Sequence, residues 1–277
     1  MGINIITAHQ IWELWDSGEL EGCNSVVELA PHFLGTVTGR TQCYLEWAKQ
    51  TFGDCEKTRE FERTTFNADG SLKSPKLAQI EFYKLFGLDE YISIDYLDEN
   101  ATYKKDLNDP LDLDRTFDVV AEYGTAEHIF NIGQFFENAY NLLRPGGLSM
   151  HLLPVMGQIY HGFYNIHTVL YRSLAAAGLY EIVKFDYLPA LPTPMYRTEK
   201  TLKMPRIFDI REQEAPQTTF RFYMNDIWQA MTGGYRPSAM VFVVLRKIND
   251  QPFHFPQQCN KYWAPKTEAS LQTIDTN

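Results

Sequence analysis

The segment Phe117–Pro154, FDVVAEYGTAEHIFNIGQFFENAYNLLRPGGLSMHLLP, narrows the choice of fold more than any other part of the chain. Phe117 to Tyr123 is mostly apolar and reads as a buried strand. Gly124 to His128 forms a polar elbow. Phe135, Phe136, Ala139, Leu142 and Leu143 then recur at helical spacing, which predicts a helix from about Asn131 to Leu143. Asn131 is placed to cap its start, and Gly146 in Arg144-Pro145-Gly146-Gly147 to end it. Leu148 to Leu153 is a second apolar strand, closed by Pro154. Strand, helix and strand in this order form a crossover, and crossovers build parallel sheets under helical cover. Ligands in such sheets bind beyond the carboxyl ends of the strands. The elbow falls there.

The rest of the chain keeps the same alternation. Ser25–Ala30, Tyr91–Tyr96, Thr102–Leu107, Tyr180–Leu188 and Ala239–Lys247 read as further strands, seven in all. Helices are expected over residues 7–20, 41–52, 76–86, 163–177 and 224–231. The fold class is therefore α/β: a Rossmann-like, seven-stranded, mostly parallel sheet with helices on both faces. The long connection before the last strand allows that strand to pair antiparallel. Residues 1–277 form one domain with two insertions. Residues 40–75 are a possible flap, because about 60 residues separate the first two strands, far more than a crossover needs. Residues 190–238 are a possible cap, in which Tyr196, Phe220, Phe222, Tyr223, Trp228 and Tyr235 either line an apolar pocket or form a small core.

A formal charge of −10 argues against a nucleic-acid partner, which needs a basic face. No apolar run reaches the ~20 residues of a membrane span. The start lacks the basic and apolar regions of a signal peptide. The four cysteines form no C-x-x-C pair and suit reduced thiols. A cytoplasmic protein with a small-molecule partner is expected, with no bearing on its oligomeric state.

Polar residues gather at the predicted carboxyl edge. Asp95 ends the second strand, where an acid commonly accepts hydrogen bonds from a ribose diol; its other reading is a turn acid. His128 follows the elbow and could act as a general base, with Glu127 orienting it; both could instead cap the next helix. His161 follows the fifth strand and is the rival base. His151 lies inside a strand and reads as an interior histidine. Three histidines near this edge could bind iron or zinc, but no H-E-x-x-H or related pattern is present, so no metal site is expected.

These blocks together (VVELA, SID, DLNDPL, FDVV, GTAEHIFN and LLRPGG) resemble the class I S-adenosylmethionine-dependent methyltransferases of small-molecule type, over about residues 25–190 and the last strand. LLRPGG is the most specific of them. The resemblance implies S-adenosylmethionine as cofactor and a role for each matching position. Glu28 and the turn to Gly35 would line the methionine part. Asp95 would bind the ribose hydroxyls, and Tyr96 would lie beside the adenine. Asp106 and Leu107 would hold the adenine edge, and Tyr123 and Gly124 would border the sulfonium. The first loop departs from the family pattern, for Ala30 stands where the first glycine is expected. The implied activity is methyl transfer to a hydroxyl or amine of a small molecule, such as a specialised metabolite. The alternatives are a non-catalytic binding protein of this fold and a metal-dependent enzyme on the same scaffold.

Overall fold

The computed structural model describes residues 2–34, 42–157, 161–189, 208–209 and 239–258. Strands β1 (Ser25–Leu29), β2 (Glu90–Ile94), β3 (Phe117–Glu122), β4 (Leu143–Met156), β5 (Tyr180–Pro189), β6 (Phe208–Asp209) and β7 (Ala239–Lys247) join in one sheet, ordered β2-β1-β3-β4-β7-β5-β6. β1 pairs parallel with β2 and β3, and β3 with β4. β7 lies antiparallel between β4 and β5, as the long connection before it allows.

The strands are apolar on both faces because both faces are covered. Alternate side chains of one strand serve opposite cores. In β7, Phe242 and Val244 face α1 (Ile5–Asp16), α2 (Gln42–Phe52), α3 (Glu56–Thr65) and α4 (Pro75–Lys84). Val241, Val243 and Leu245 face α5 (Ile132–Asn141) and α6 (Val169–Ala176). Trp47, Phe61, Phe82 and Phe86 fill the first core, and Phe135, Phe136, Tyr140 and Tyr171 the second. Asn4, Ser74 and Asn131 cap α1, α4 and α5 by accepting backbone N–H bonds.

Four expectations are corrected. Residues 102–107 form no strand. Only Tyr103 touches the sheet edge, beside Ile94, because Thr102, Lys104 and Lys105 give the segment no apolar face. Among the described residues, six strands of five or more residues therefore form, with the two-residue β6 as a seventh at the edge. Residues 53–75 contain α3, whose apolar stripe is reduced to Phe61 and so left no periodic signal. α6 starts at Val169 rather than near 163, because backbone N–H groups of Phe163, Tyr164 and Ile166 are taken by the carbonyls of Glu127 and Pro154. β4 starts at Leu143, before the Pro-Gly-Gly turn. The residues expected as helix 224–231 and the six aromatic residues of the cap lie outside the described residues.

The LLRPGG block anchors the end of the sheet opposite the elbow. Arg144 Nε donates to Asp118 Oδ1 at 2.5 Å, and Asp118 Oδ2 accepts from the N–H groups of Asn24 and Ser25 and from the Ser25 hydroxyl. Three strands are thus tied at their starts. A β-carbon on Gly147 would meet the carbonyl oxygens of Arg144 and Asp118 at 2.9 Å, so this close approach requires glycine.

Candidate active site at the carboxyl edge

β1 leads through α2–α4 to β2 on one side, and the chain then returns to β3 on the other. The crevice between the carboxyl ends of β1 and β3 is therefore the topological switch point, where ligands of open α/β sheets bind. Ala30 leaves β1 with φ 72°, the left-handed conformation that glycine adopts freely. Its N–H donates to the Ile94 carbonyl at 2.8 Å. The turn keeps the backbone shape of a glycine turn without the glycine. Gly35 lies outside the described residues.

His32 spans this crevice. Its Nε2 accepts from the Tyr123 N–H at 3.0 Å and lies 3.1 Å from Thr125 Oγ1. An accepting Nε2 places the proton on Nδ1, which faces Glu28 Oε1 at 3.7 Å. Glu28 itself is buried and surrounded by donors. Its oxygens accept from the hydroxyls of Tyr83 (2.6 Å) and Tyr91 (2.7 Å), from Gln79 Nε2 and from the His32 N–H. Its carboxylate is thus an interior anchor. In sequence His32 carries no distinct signal beyond its place in the turn after β1, since the contacts that define it lie some 90 positions away.

Asp95 and Asp106 sit at the edge with one oxygen each engaged in a local turn. Asp95 Oδ1 accepts from the N–H groups of Leu97 and Asp98, and Asp106 Oδ1 from the backbone and side chain of Asn108. Tyr96 projects into solvent, 66 % exposed, and Leu107 is buried, its carbonyl accepting from Asn138 Nδ2. Tyr123 turns its ring into the α1–α4 core, with its hydroxyl towards Met150, so only its backbone borders the crevice. Gly124 has φ 94°.

The elbow is fixed from below by Glu122. Its Oε2 accepts from the N–H groups of Gly124 and Thr125, and its Oε1 lies 3.1 Å from His151 Nδ1. His151 Nε2 pairs with Ser149 Oγ at 2.8 Å, all within the sheet. His151 is the satisfied interior histidine its strand position predicts.

Glu127 and His128 lie on a single 3-10 turn, Ala126–His128. They do not cap α5, for which Asn131 serves. Glu127 is buried, and neither carboxylate oxygen has a hydrogen-bond partner among the described residues. Burial, with the charge of Glu122, pushes its carboxyl up to about 7. His161 Nε2 lies 3.4 Å and His128 Nε2 3.9 Å from Glu127 Oε1, and the two imidazoles meet edge to face at 4.9 Å. Burial lowers the affinity of both imidazoles for protons, His128 further through the nearby His161. Both are only partly buried, so the group opens to solvent above Glu127. The Glu127 carbonyl accepts from the N–H groups of Phe163 (2.7 Å) and Tyr164 (3.2 Å), and Tyr164 donates its hydroxyl to the Phe130 carbonyl. Phe130 and Phe163 form an exposed ring pair at the rim. The fold therefore brings together all three residues expected on the acceptor side.

Fold and site define a Rossmann-like α/β protein with a switch-point crevice and an acid–imidazole cluster beside it. No protein-family profile matches the chain, and no curated protein matches it in sequence. Solved structures of methyltransferases are similar to it. One is a SAM-dependent methyltransferase from Archaeoglobus fulgidus, with 12% identity, 87% of this chain and 94% of that one covered, and a TM-score of 0.40. Another is the O-methyltransferase of a trans-AT PKS multienzyme from Brevibacillus brevis, in complex with S-adenosyl-L-homocysteine, with 15% identity, 86% and 71% covered, and a TM-score of 0.36. No helix among the described residues is long and apolar enough to cross a membrane.

Proposed function

We propose that this chain transfers a methyl group from S-adenosylmethionine to a hydroxyl or amine of a small molecule. The observation that carries the reading is the end of β3. Within six residues it offers the crevice at Tyr123-Gly124 and, beyond it, the buried Glu127 with His128, to which the loop after β4 adds His161.

The residues present fit the cofactor on its nucleoside side. Asp95 offers a carboxylate oxygen for ribose hydroxyls, and Tyr96 an exposed ring for the adenine face. Asp106 and the Leu107 backbone would hold the adenine edge. The left-handed turn at Ala30 keeps β1 in the shape such a loop needs. Glu28 acts here through His32 and the two tyrosines that hold it, rather than by direct contact. When bound, the cofactor supplies an electrophilic methyl on a positive sulfur. The chain positions the acceptor against that methyl group. Glu127, His128 and His161 face the acceptor and receive its proton load, since uncharged imidazoles beside a carboxylate favour loss of a proton from an attacking hydroxyl or amine. Phe130 and Phe163 give the acceptor an apolar or aromatic surface to lie against.

Calorimetry with S-adenosylmethionine tests the reading. Saturable binding is expected, and Asp95→Ala should weaken it at least about tenfold, the loss of a charge-assisted hydrogen bond. No binding at millimolar cofactor would sink it. The second reading, a non-catalytic binding protein of this fold, is favoured by one observation: His32 bridges the crevice walls. On that reading His32→Ala should gain cofactor affinity, or the wild-type chain should bind cofactor without turnover for any acceptor.

A further inference from the structure

We propose that Glu127, His128 and His161 form a binding site for one divalent first-row metal ion. The inference rests on the acceptor-side reading given above and replaces its imidazole base: with both Nε2 atoms on the ion, the ion rather than an imidazole would promote loss of the acceptor's proton.

The three ligand atoms all lie within 4.8 Å of one another, with Glu127 Oε1 shared between the two Nε2 atoms at 3.4 and 3.9 Å. Ligands roughly 2.0–2.2 Å from one ion stand ~3.0–3.5 Å apart in tetrahedral or octahedral sites, so a small inward movement of His128 would complete the set. None of the three pairs meets as a hydrogen bond at present. Glu127 is fully buried, yet both its oxygens lack partners among the described residues, as does His161 Nε2. A buried carboxyl without donors is either held neutral or charge-compensated, and a cation supplies that compensation in place of the proton.

The site is also built rather than incidental. His161 is locked against Glu127 by the two hydrogen bonds from Phe163 and Tyr164 to the Glu127 carbonyl. Gly162 allows this approach because any β-carbon would strike that carbonyl at 2.6 Å. From the other side Glu122 holds the elbow through the N–H groups of Gly124 and Thr125. Two imidazoles and one carboxylate suit zinc, iron(II), cobalt or manganese, and leave open positions for solvent or an acceptor oxygen. Those positions face outward past the part-exposed histidines and the Phe130–Phe163 rim. An acceptor hydroxyl bound there would ionise more readily than in water.

The test uses the full chain, stripped with chelator and titrated with Co2+ by calorimetry and visible absorption, without S-adenosylmethionine. One ion per chain is expected, with ligand-field bands. Affinity should fall at least about tenfold in Glu127→Gln and in His161→Ala. His128→Ala removes a part-exposed ligand, tolerates folding, and should show the same loss. Absence of saturable binding, or affinity unchanged in His128→Ala, overturns the proposal. Cobalt binding at this site in a chain that never binds S-adenosylmethionine would uphold the ion and refute the methyl-transfer reading instead.

Discussion

The carbonyl oxygen of Glu127 lies 2.6 Å from where a β-carbon on Gly162 would sit. This contact joins the loop after β3 to the loop after β4 and so sets the distance between Glu127 and His161. Gly162→Ala should push the loops apart at a stability cost of about 1–3 kcal/mol, typical of overpacking. Cation affinity should fall without loss of any ligand. Gly147→Ala provides the comparison, since it crowds two carbonyls at the opposite end of the sheet. It should destabilise the chain similarly and leave cobalt affinity unchanged. Urea unfolding and cobalt titration of both variants separate the effects. Equal cobalt affinities in the two would show that the Glu127–Gly162 approach does not shape the site.

Asp118 carries the acid sensitivity of that opposite end. Burial raises its carboxyl, but hydrogen bonds from Asn24, Arg144 and Ser25 outweigh this and bring it from 3.8 down to about 2. A carboxyl depressed in the folded state stabilises above its unfolded value and loses that contribution as pH falls through the folded one. The contribution should be about 1–2 kcal/mol, discounted for its partial exposure, full above about pH 4 and gone near pH 2. Asp118→Asn should lose it. The difference in urea midpoint between wild type and variant should therefore shrink between pH 5 and about 2. A constant difference would contradict the assignment.

Glu127 has the opposite sign. Its carboxyl is held up at about 7 by burial and by Glu122, so folding favours its neutral form. In metal-free protein the stabilisation is full below the unfolded value near 4.5 and is lost as pH rises through 7. The slope amounts to about 2–3 kcal/mol between pH 4 and 8. Glu127→Gln should abolish this part of the pH dependence. Thermal or urea denaturation in chelator, repeated across that range, measures it. A wild-type profile parallel to that of Glu127→Gln would mean that Glu127 is charged and compensated even without metal.

Local signals made much of this molecule legible. Apolar runs such as Phe117–Tyr123 and Ala239–Lys247 are buried on both faces, so their sequences name them as strands without reference to anything distant. Asn131 caps α5 because a short side-chain oxygen three residues before a free N–H is a local arrangement. Glu127, His128 and His161 can be gathered from sequence because they follow strands, and strand ends in this fold converge. What stayed hidden depends on long-range pairs. His32 gains its role only from Tyr123 and Thr125, and the far oxygen of Glu122 meets His151, 29 positions away. α3 is not legible because a helix that rests on one aromatic residue has no readable period. Thr102–Leu107 reads as a strand in sequence because β-branched and aromatic residues raise strand propensity without supplying a buried face. That Glu127 would be left without donors could not be read at all, since partners are a property of the packed chain.

Ala30 stands where a methyltransferase-like loop would carry glycine, and it holds φ 72° there. An alanine in this region costs about 1–2 kcal/mol through its β-carbon, whereas glycine pays only greater freedom in the unfolded chain, about 0.5–1 kcal/mol. Ala30→Gly should therefore raise stability by about 0.5–1 kcal/mol, seen as a higher urea midpoint at unchanged slope. The direction is informative because glycine in an ordinary strand end destabilises. A fall in midpoint would mean that the turn after β1 is not left-handed in solution. The same variant bears on the crevice. If the left-handed turn is what readies β1 for cofactor, relaxing it in place should leave S-adenosylmethionine affinity unchanged or improved. Loss of affinity would show that the Ala30 methyl group itself helps to form the site.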